Sequence, residues 1–286
     1  MILLLGHAHD PVLSRLQAEL TYHKTEAEIV SNLALPEVSL SLGSKGRLTN
    51  LFIDERDVIT NEISAIVVSE LAVNTKKSMS AIDLRYTNAE IYAVWLALLV
   101  SAPCIVINRP TTHFGILHQS PLHLRAFARK LGVFTVGEEI VNGEAIISAR
   151  SGGATNACID VASDRSFWLS DEYPVDHDRL YVVTTHTKHD SFAVCVRVGD
   201  KCISSQYASD GSWHTTEKTV AAKCSVSTVM LTNQLGLDYG ICAYSLKDKE
   251  PAFSRLYTTA QYSFSKALTN WTTKRLSSLL LSCGSL

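Results

Sequence analysis

The chain has 286 residues, of which 46% are hydrophobic and 19% are charged, as in a globular protein long enough for two compact units. The formal net charge is −2, so no strong positive field attracts DNA, RNA or an anionic membrane. The basic residues are scattered, without the interleaved aromatic residues of a nucleic-acid-binding surface, and we therefore expect no nucleic-acid partner.

The first segment, Met1–Gly6, is apolar, but it is too short for a secretory signal peptide and lacks the basic start of one. We interpret Ile2–Leu5 as a buried strand. Val12–Leu20 is predicted to be a helix because its apolar residues recur at helical spacing. The most apolar stretch, Ile91–Ile107, is interrupted by Pro103, so we predict a helix followed by a strand and no membrane span.

Strands and helices alternate in the first third of the chain. Ile63–Val68 and Cys104–Ile107 are short apolar runs typical of buried strands. Thr87–Glu90 has the spacing of a capping box, which predicts that the helix between these strands begins there. Such alternation indicates a parallel α/β layer.

The pattern changes after Ser120. This serine and the following proline predict the start of a helix that ends at Leu131, with Gly132 beyond its C-terminus. Short runs with the composition of β-strands follow. The predicted strands of this region are Ala145–Ile147, Ala157–Val161, Phe167–Leu169, Leu180–Val183 and Phe192–Val198.

The last part of the chain contains two predicted helices around a hairpin. Ala221–Leu235 is a helix candidate that Gly236 ends. Ile241–Leu246 and Ala252–Tyr257 have the pattern of two paired strands. A final helix is predicted near Gln261–Leu281.

Three motifs carry a resemblance to a known family. They are Val-Ile-Asn-Arg-Pro at Val106–Pro110, Leu131–Gly132 ahead of Thr135, and Leu-Gly-Leu-Asp-Tyr-Gly-Ile at Leu235–Ile241. Their order and spacing resemble the ATP-grasp superfamily, in particular the RimK-like and peptide carboxylate–amine ligases.

The resemblance implies a fold of two parts. A parallel α/β pre-ATP-grasp domain is followed by an ATP-grasp-like α+β domain, whose two lobes hold ATP between antiparallel sheets. We expect these domains to span residues 1–112 and 113–286, with lobes of about 113–200 and 201–286.

Residues on which the chemistry of such ligases depends are replaced. By spacing, the family's magnesium-binding positions fall on Ala243, Arg255 and Tyr257. The strand that usually carries a phosphate-binding lysine, Ala157–Val161, has none, and the following Asp164–Ser166 has no glycine. Mg²⁺ prefers oxygen ligands, which methyl and guanidinium groups do not supply. The resemblance with these departures implies a member that does not transfer phosphoryl groups.

We therefore expect a non-catalytic homologue without a cofactor. It would bind a peptide or a small carboxylate, or pair with an active ATP-grasp ligase or with itself, in a biosynthetic pathway. One alternative is an active carboxylate–amine ligase that holds ATP and magnesium through relocated carboxylates such as Asp238, Asp248 and Glu250. Another alternative is a scaffold protein that binds no ligand. The predicted C-terminal helix with Trp271 suggests this function.

Three residues are candidates for ligand binding. Arg109 could bind a carboxylate or hold the junction between domains. His186, with His189 nearby, lies where relatives link the lobes, either as part of a metal site or in a solvated hinge. Arg255 could form a salt bridge with a buried acid such as Asp238, or it could replace the charge of the metal and bind an anion.

Other histidines and the cysteines are given structural interpretations. His7 and His9 flank a turn at the carboxyl edge of the predicted parallel sheet, where a polar turn is favoured over a ligand site. The seven cysteines are widely spaced and include no C-x-x-C, as expected in a reducing cytoplasm. Cys104, Cys195 and Cys242 lie in apolar runs and are predicted to be core residues rather than nucleophiles.

Overall fold

The computed structural model describes residues 1–34, 50–53, 56–59, 62–73, 80–111, 121–154, 156–160, 165–168, 173–187, 190–247, 250–260 and 264–283. In chain order their helices and strands are β1 (Ile2–Leu5), α1 (Pro11–Tyr22), β2 (Ala27–Val30), β3 (Asn50–Ile53), β4 (Arg56–Ile59), β5 (Ala65–Val68), α2 (Ala81–Ser101), β6 (Ile105–Ile107), α3 (Pro121–Lys130), β7 (Glu138–Asn142), α4 (Gly143–Ser151), β8 (Asn156–Asp160), β9 (Arg165–Trp168), β10 (Leu180–Thr187), β11 (Ser191–Val198), β12 (Lys201–Tyr207), β13 (Trp213–Thr215), α5 (Lys218–Leu235), β14 (Tyr239–Lys247), β15 (Glu250–Tyr257) and α6 (Lys266–Cys283).

The first sheet is parallel and has the strand order β2-β1-β5-β6. Successive side chains of a strand point to opposite faces, so β1 contributes Ile2 and Leu4 to one face and Leu3 and Leu5 to the other. Helix α1 packs on the first face, and α2 packs on the second through Trp95. Burial on both faces explains why β1 and β5 are continuous apolar runs, and the predicted parallel α/β layer is confirmed.

The N-termini of α1 and α2 are fixed by side-chain caps. The carboxylate of Asp10 accepts a hydrogen bond from the backbone N–H of Val12 at 2.8 Å. The hydroxyl of Ser80 accepts one from the backbone N–H of Asp83 at 3.2 Å. The prediction that α2 begins at Thr87–Glu90 is wrong, because the earlier serine already supplies the cap and these four residues lie inside the helix.

A second sheet is antiparallel, with the order β7-β10-β8-β9. Helix α4 packs on one face of it, where Ile146 joins a buried cluster with Cys158 and Tyr181. Ala145–Ile147 was predicted to be a strand and is instead part of α4. The reason is Asn142, whose side-chain oxygen accepts a hydrogen bond from the backbone N–H of residue 145 at 3.0 Å and so caps the helix.

The third sheet is also antiparallel and has the order β13-β12-β11-β14-β15. Helix α5 packs on the face that carries Cys195 and Tyr244, whereas α6 packs on the face that carries Val196 and Ile241, and α1 packs against α6. Gly236 ends α5 in the left-handed conformation, with φ of 69°. The predicted helix before this glycine and the predicted hairpin after it are confirmed.

The parallel sheet and the third sheet meet at the carboxyl edge of the parallel one. Asn108 follows β6, and its side-chain oxygen accepts a hydrogen bond from the backbone N–H of Tyr239, where β14 begins, at 2.9 Å. The carboxylate of Asp10 accepts one from the backbone N–H of Ala260 at 3.1 Å. The start of β14 therefore covers this edge where β6 ends, and the segment that leaves β15 covers it where β1 ends.

Within the described ranges, none of the helices is both long and apolar enough to cross a membrane. The expected domain boundary at residue 112 falls at the start of a segment, 112–120, that lies outside these ranges. The boundary therefore stays a prediction.

Candidate functional site

The hairpin of β14 and β15 brings together the three positions at which the resemblance places magnesium ligands. Ala243 lies opposite Arg255, and Ile241 lies opposite Tyr257. The register shifts after Ala243, because Tyr244 pairs with Phe253 and one extra residue is left on β15. Arg255 and Ala243 are therefore cross-strand neighbours.

The side chains at these three positions do not fit a magnesium ion. A methyl and a guanidinium group offer no oxygen ligand, and the ring of Tyr257 packs against the apolar cluster that includes Ile241. The guanidinium of Arg255 would also repel a divalent cation.

The carboxylates named for a relocated metal site do not converge either. Asp238 is exposed at the start of β14, and its carboxylate accepts a hydrogen bond from the backbone N–H of Asn108 at 3.2 Å. Glu250 lies at the other end of the hairpin, about 30 Å away along the strand, and pairs with Lys223 at 2.6 Å. Asp248 lies outside the described residues. In the described part of the chain, no group of three His, Cys, Asp or Glu side chains is placed to hold a metal ion.

Two arginines of α3 form the charged cluster next to this hairpin. Arg125 and Arg129 lie one turn apart on α3, and both donate to the carboxylate of Glu138 at the start of β7. Arg129 also donates from Nε to the hydroxyl of Thr135 at 2.8 Å. The side chains of Arg125 and Glu138 are only 3% and 13% exposed, so this is a largely buried ion pair.

The segment between α3 and β7 holds the cluster against β15. The backbone N–H of Phe253 donates to the carbonyl of Phe134 at 2.8 Å, and the N–H of Val136 donates to the carbonyl of Phe253 at 3.1 Å. Arg255 lies two residues further along β15. Its positive charge is close enough to lower the pKa of Arg125.

The electrostatics of Arg125 make this cluster the candidate site. Burial is the main cause that lowers the pKa of its guanidinium, and Glu138 opposes that effect, while Arg255 and Arg129 add to it. The Nη2 nitrogen of Arg125 is buried and has no hydrogen-bond partner within the described part of the chain. A buried donor of this kind is costly unless it is paired, and its natural partner is an anion.

Comparison with solved structures decides the fold. Macrocyclase MdnC from Microcystis aeruginosa, bound with precursor peptide MdnA, is 13% identical with a TM-score of 0.70 over 98% of both chains. A RiPP-associated ATP-grasp ligase from Chryseobacterium gregarium, in complex with ADP and a leader and core peptide, is 14% identical with a TM-score of 0.68 over 98% of this chain and 96% of its own. The chain has the ATP-grasp fold.

A more distant ATP-grasp structure agrees with this result. The RimK domain protein from Sphaerobacter thermophilus is 14% identical, with a TM-score of 0.58 over 98% of this chain and 100% of its own. No protein-family profile matches the sequence, and no curated protein matches it. At these identities the likeness establishes the fold and leaves the activity open.

In this ATP-grasp fold the expected site residues have different outcomes. Arg109 donates from its two terminal nitrogens to the carbonyls of Leu99, Val100, Ala102 and Cys104, at 2.9 to 3.3 Å. These contacts tie it to the C-terminal end of α2, where a cation is favoured by the helix dipole. Its role in binding a carboxylate stays a prediction that these contacts do not support.

The other two candidates are placed as follows. His186 lies in β10, but its side chain and the whole of His189 fall outside the described residues, so both proposals about them stay open. The exposure of Asp238 does not agree with a buried pair between it and Arg255. Of the expected positions, the structure brings Ala243, Arg255 and Tyr257 together.

The structural interpretations of the remaining residues agree with the fold. His7 and His9 are exposed, and the Nδ1 atom of His7 accepts a hydrogen bond from the N–H of His9 at 3.2 Å within the turn. Cys195 and Cys242 are buried core residues. Cys104 is half-buried, and burial raises the pKa of its thiol, which does not favour a nucleophile.

The sequence analysis missed Arg125, Arg129 and Glu138. The available signal was the spacing of two arginines one turn apart, on a helix that ends shortly before an acidic residue. Such spacing is equally typical of a solvated helix face. The pairing of residues 134–136 with β15 accompanies the burial of Arg125, which the spacing does not predict.

Proposed function

We propose that this ATP-grasp protein is a non-catalytic homologue that binds a peptide or a small carboxylate in a peptide-modifying pathway, without magnesium. The observation that carries the proposal is the pairing of Arg255 with Ala243 at the position where the resemblance expects metal ligands. Phosphoryl transfer needs a divalent cation between the β- and γ-phosphate oxygens, and a guanidinium at that position repels one.

The phosphate-binding side of the cleft supports the same proposal. β8, the strand at which relatives carry a lysine, has the sequence Asn-Ala-Cys-Ile-Asp and no lysine. An ammonium group at that strand would hold the phosphates of ATP as a point charge. β8 and the hairpin of β14 and β15 belong to two different sheets, so the two replacements support the proposal separately.

A peptide or carboxylate ligand is suggested by chemistry and by the neighbouring structures. An arginine side chain is planar and donates two parallel hydrogen bonds to a carboxylate. Two of the similar structures contain a bound peptide, namely the precursor peptide of MdnC and the leader and core peptide of the Chryseobacterium ligase.

The test is a calorimetric titration of ATP into the protein, once with magnesium chloride and once with EDTA. We expect no binding that depends on magnesium, and no release of ADP when amino acids or peptides are added. The Chryseobacterium gregarium ATP-grasp ligase, whose structure contains ADP, is the positive control in the same buffers. Binding of ATP that is about ten-fold tighter with magnesium than with EDTA would overturn the proposal.

A further inference from the structure

We propose that Arg125, Arg129 and Arg255 form a binding site for an oxyanion, either a carboxylate or a phosphate group, with Glu138 holding two of them in position. This inference rests on the proposed function, because it assumes that the cleft takes a ligand without magnesium. It adds the chemical class of the bound group and the residues that hold it.

The geometry of α3 and β7 fixes two of the three guanidinium groups. Arg125 uses Nε, and Arg129 uses Nη2, to donate to the two oxygens of Glu138. Arg129 is held further by its Nε contact with Thr135 at 2.8 Å. Both side chains are therefore oriented before any ligand arrives, which lowers the entropic cost of binding.

One donor of this arrangement has no partner among the described residues. The Nη2 atom of Arg125 is buried there without a hydrogen-bond partner, and the side chain as a whole is only 3% exposed. A buried guanidinium nitrogen normally has an acceptor. An oxygen of a bound carboxylate or phosphate would supply it.

The positive charges of the cluster act on one region. Glu138 pairs with both Arg125 and Arg129. Arg255 comes from β15 of the third sheet, which contacts α3, and its positive charge acts on Arg125. Like charges repel one another strongly in a low-dielectric region. An anion bound between them would attract each cation and offset that repulsion.

The cluster is open to solvent on one side. The side chain of Arg129 is 46% exposed, and Arg255 is half-buried. A ligand can thus reach the two outer arginines first, and its oxygen can then pair with Arg125. Planar guanidinium groups fit carboxylate and phosphate oxygens equally well, so the source of the anion has to be decided by experiment.

The experiment measures the affinity of four probes in EDTA by calorimetry. A short oligoglutamate peptide is compared with the matching oligoglutamine peptide, and ATP is compared with adenosine. Arg129→Gln and Arg255→Gln are the test variants. Arg85→Gln, an exposed arginine on α2, is the matched control.

We expect at least one acidic probe to bind while its neutral counterpart does not. Each test variant should weaken that binding about ten-fold or more, and the control should leave it unchanged. Arg255→Lys should keep only part of the affinity. The lysine retains the positive charge but cannot donate two parallel hydrogen bonds as a guanidinium does. Binding of the oligoglutamate alone identifies a peptide carboxylate as the source, and binding of ATP alone identifies a phosphate.

Two results would overturn the inference. One is that neither acidic probe binds the parent protein in EDTA. The other is that Arg129→Gln and Arg255→Gln, with melting temperatures close to that of the parent, bind the acidic probe as tightly as the parent does. Binding of ATP that appears only with magnesium would instead overturn the proposed function, so the two failures can be told apart.

Discussion

The side-chain oxygen of Asn108 accepts a hydrogen bond from the backbone N–H of Tyr239 at 2.9 Å, across 131 positions of the sequence. The same side chain donates from Nδ2 to the carbonyl of Val68 at 3.0 Å. Asn108 is fully buried and has φ of 60°, a left-handed conformation that asparagine tolerates better than most residues. One amide therefore connects the end of the parallel sheet to the first residue of β14.

Replacing this amide should destabilise the protein. In Asn108→Ala, the N–H of Tyr239 and the carbonyl of Val68 lose their partners inside the protein, and alanine is strained at this φ. We expect a loss of about 3 kcal/mol in the free energy of unfolding, measured in urea. The control is Asn270→Ala on the exposed face of α6, which should change stability by less than about 0.5 kcal/mol. An equal effect of both substitutions would contradict the role of Asn108 as a connector.

Two glycines with left-handed backbones differ in what surrounds them. A Cβ added at Gly236 would lie 2.7 Å from the Cγ2 atom of Thr111, whereas one added at Gly132 meets nothing within 4 Å. Both Gly→Ala variants incur conformational strain, and Gly236→Ala should cost about 1–3 kcal/mol more because of the overlap. Thermal unfolding of both variants checks this difference. In a Thr111→Ser background the excess should shrink, and an unchanged excess would mean that the overlap is not its cause.

Asp10 should give the stability a measurable dependence on pH. Burial raises the pKa of its carboxyl above the ordinary value of 3.8, partly offset by hydrogen bonds from the N–H groups of Val12 and Ala260 and from Ser69. Between 3.8 and the raised value the folded state binds more protons than the unfolded state, so the stability due to this group falls as the pH rises through that window.

The substitution Asp10→Asn removes this titration. The difference in unfolding free energy between parent and variant should decrease with rising pH across the window and then level off, by about 1.4 kcal/mol for each unit of pKa shift. Urea unfolding across the acidic range measures it, and the exposed Asp178→Asn serves as control. A difference that grows with pH would show that the hydrogen bonds, rather than burial, dominate the pKa.

The core thiols should be inert in the folded protein. Burial raises the pKa of Cys158, Cys224 and Cys242 to about 12. At about pH 8 roughly one thiol in ten thousand is then ionised, and only the thiolate reacts. Iodoacetamide followed by mass spectrometry should leave these three cysteines unmodified until guanidinium chloride is added. Rapid labelling of Cys224 in the native protein would mean that α5 does not stay packed on its sheet.

The sequence predicts most of the fold because the spacing of apolar residues shows which side of each strand or helix is buried. The runs Ile2–Leu5 and Phe192–Val198 were recognised because their side chains are buried, and β1 agrees with its predicted bounds. The apolar pattern of Ala145–Ile147 predicts a strand, but these residues belong to a helix. The side chain of Asn142 caps that helix and so stabilises it. A side-chain cap of this kind is difficult to predict from residue types alone.

The candidate site was predictable in part. Spacing from the Leu-Gly-Leu-Asp-Tyr-Gly motif identified Ala243, Arg255 and Tyr257, because a hairpin register follows from strand length and turn length. Arg125 and Glu138 could not be assigned to the same site. They approach Arg255 only because residues 134–136 pair with β15, and this contact joins positions more than a hundred residues apart.

The contact between Asp10 and Ala260 also bears on how the chain folds during its synthesis. Its two partners are 250 positions apart, so the second leaves the ribosome long after the first. The edge at which β1 ends therefore stays uncovered until residue 260 has been made. We infer that the parallel sheet reaches its final stability only once Ala260 has docked on Asp10.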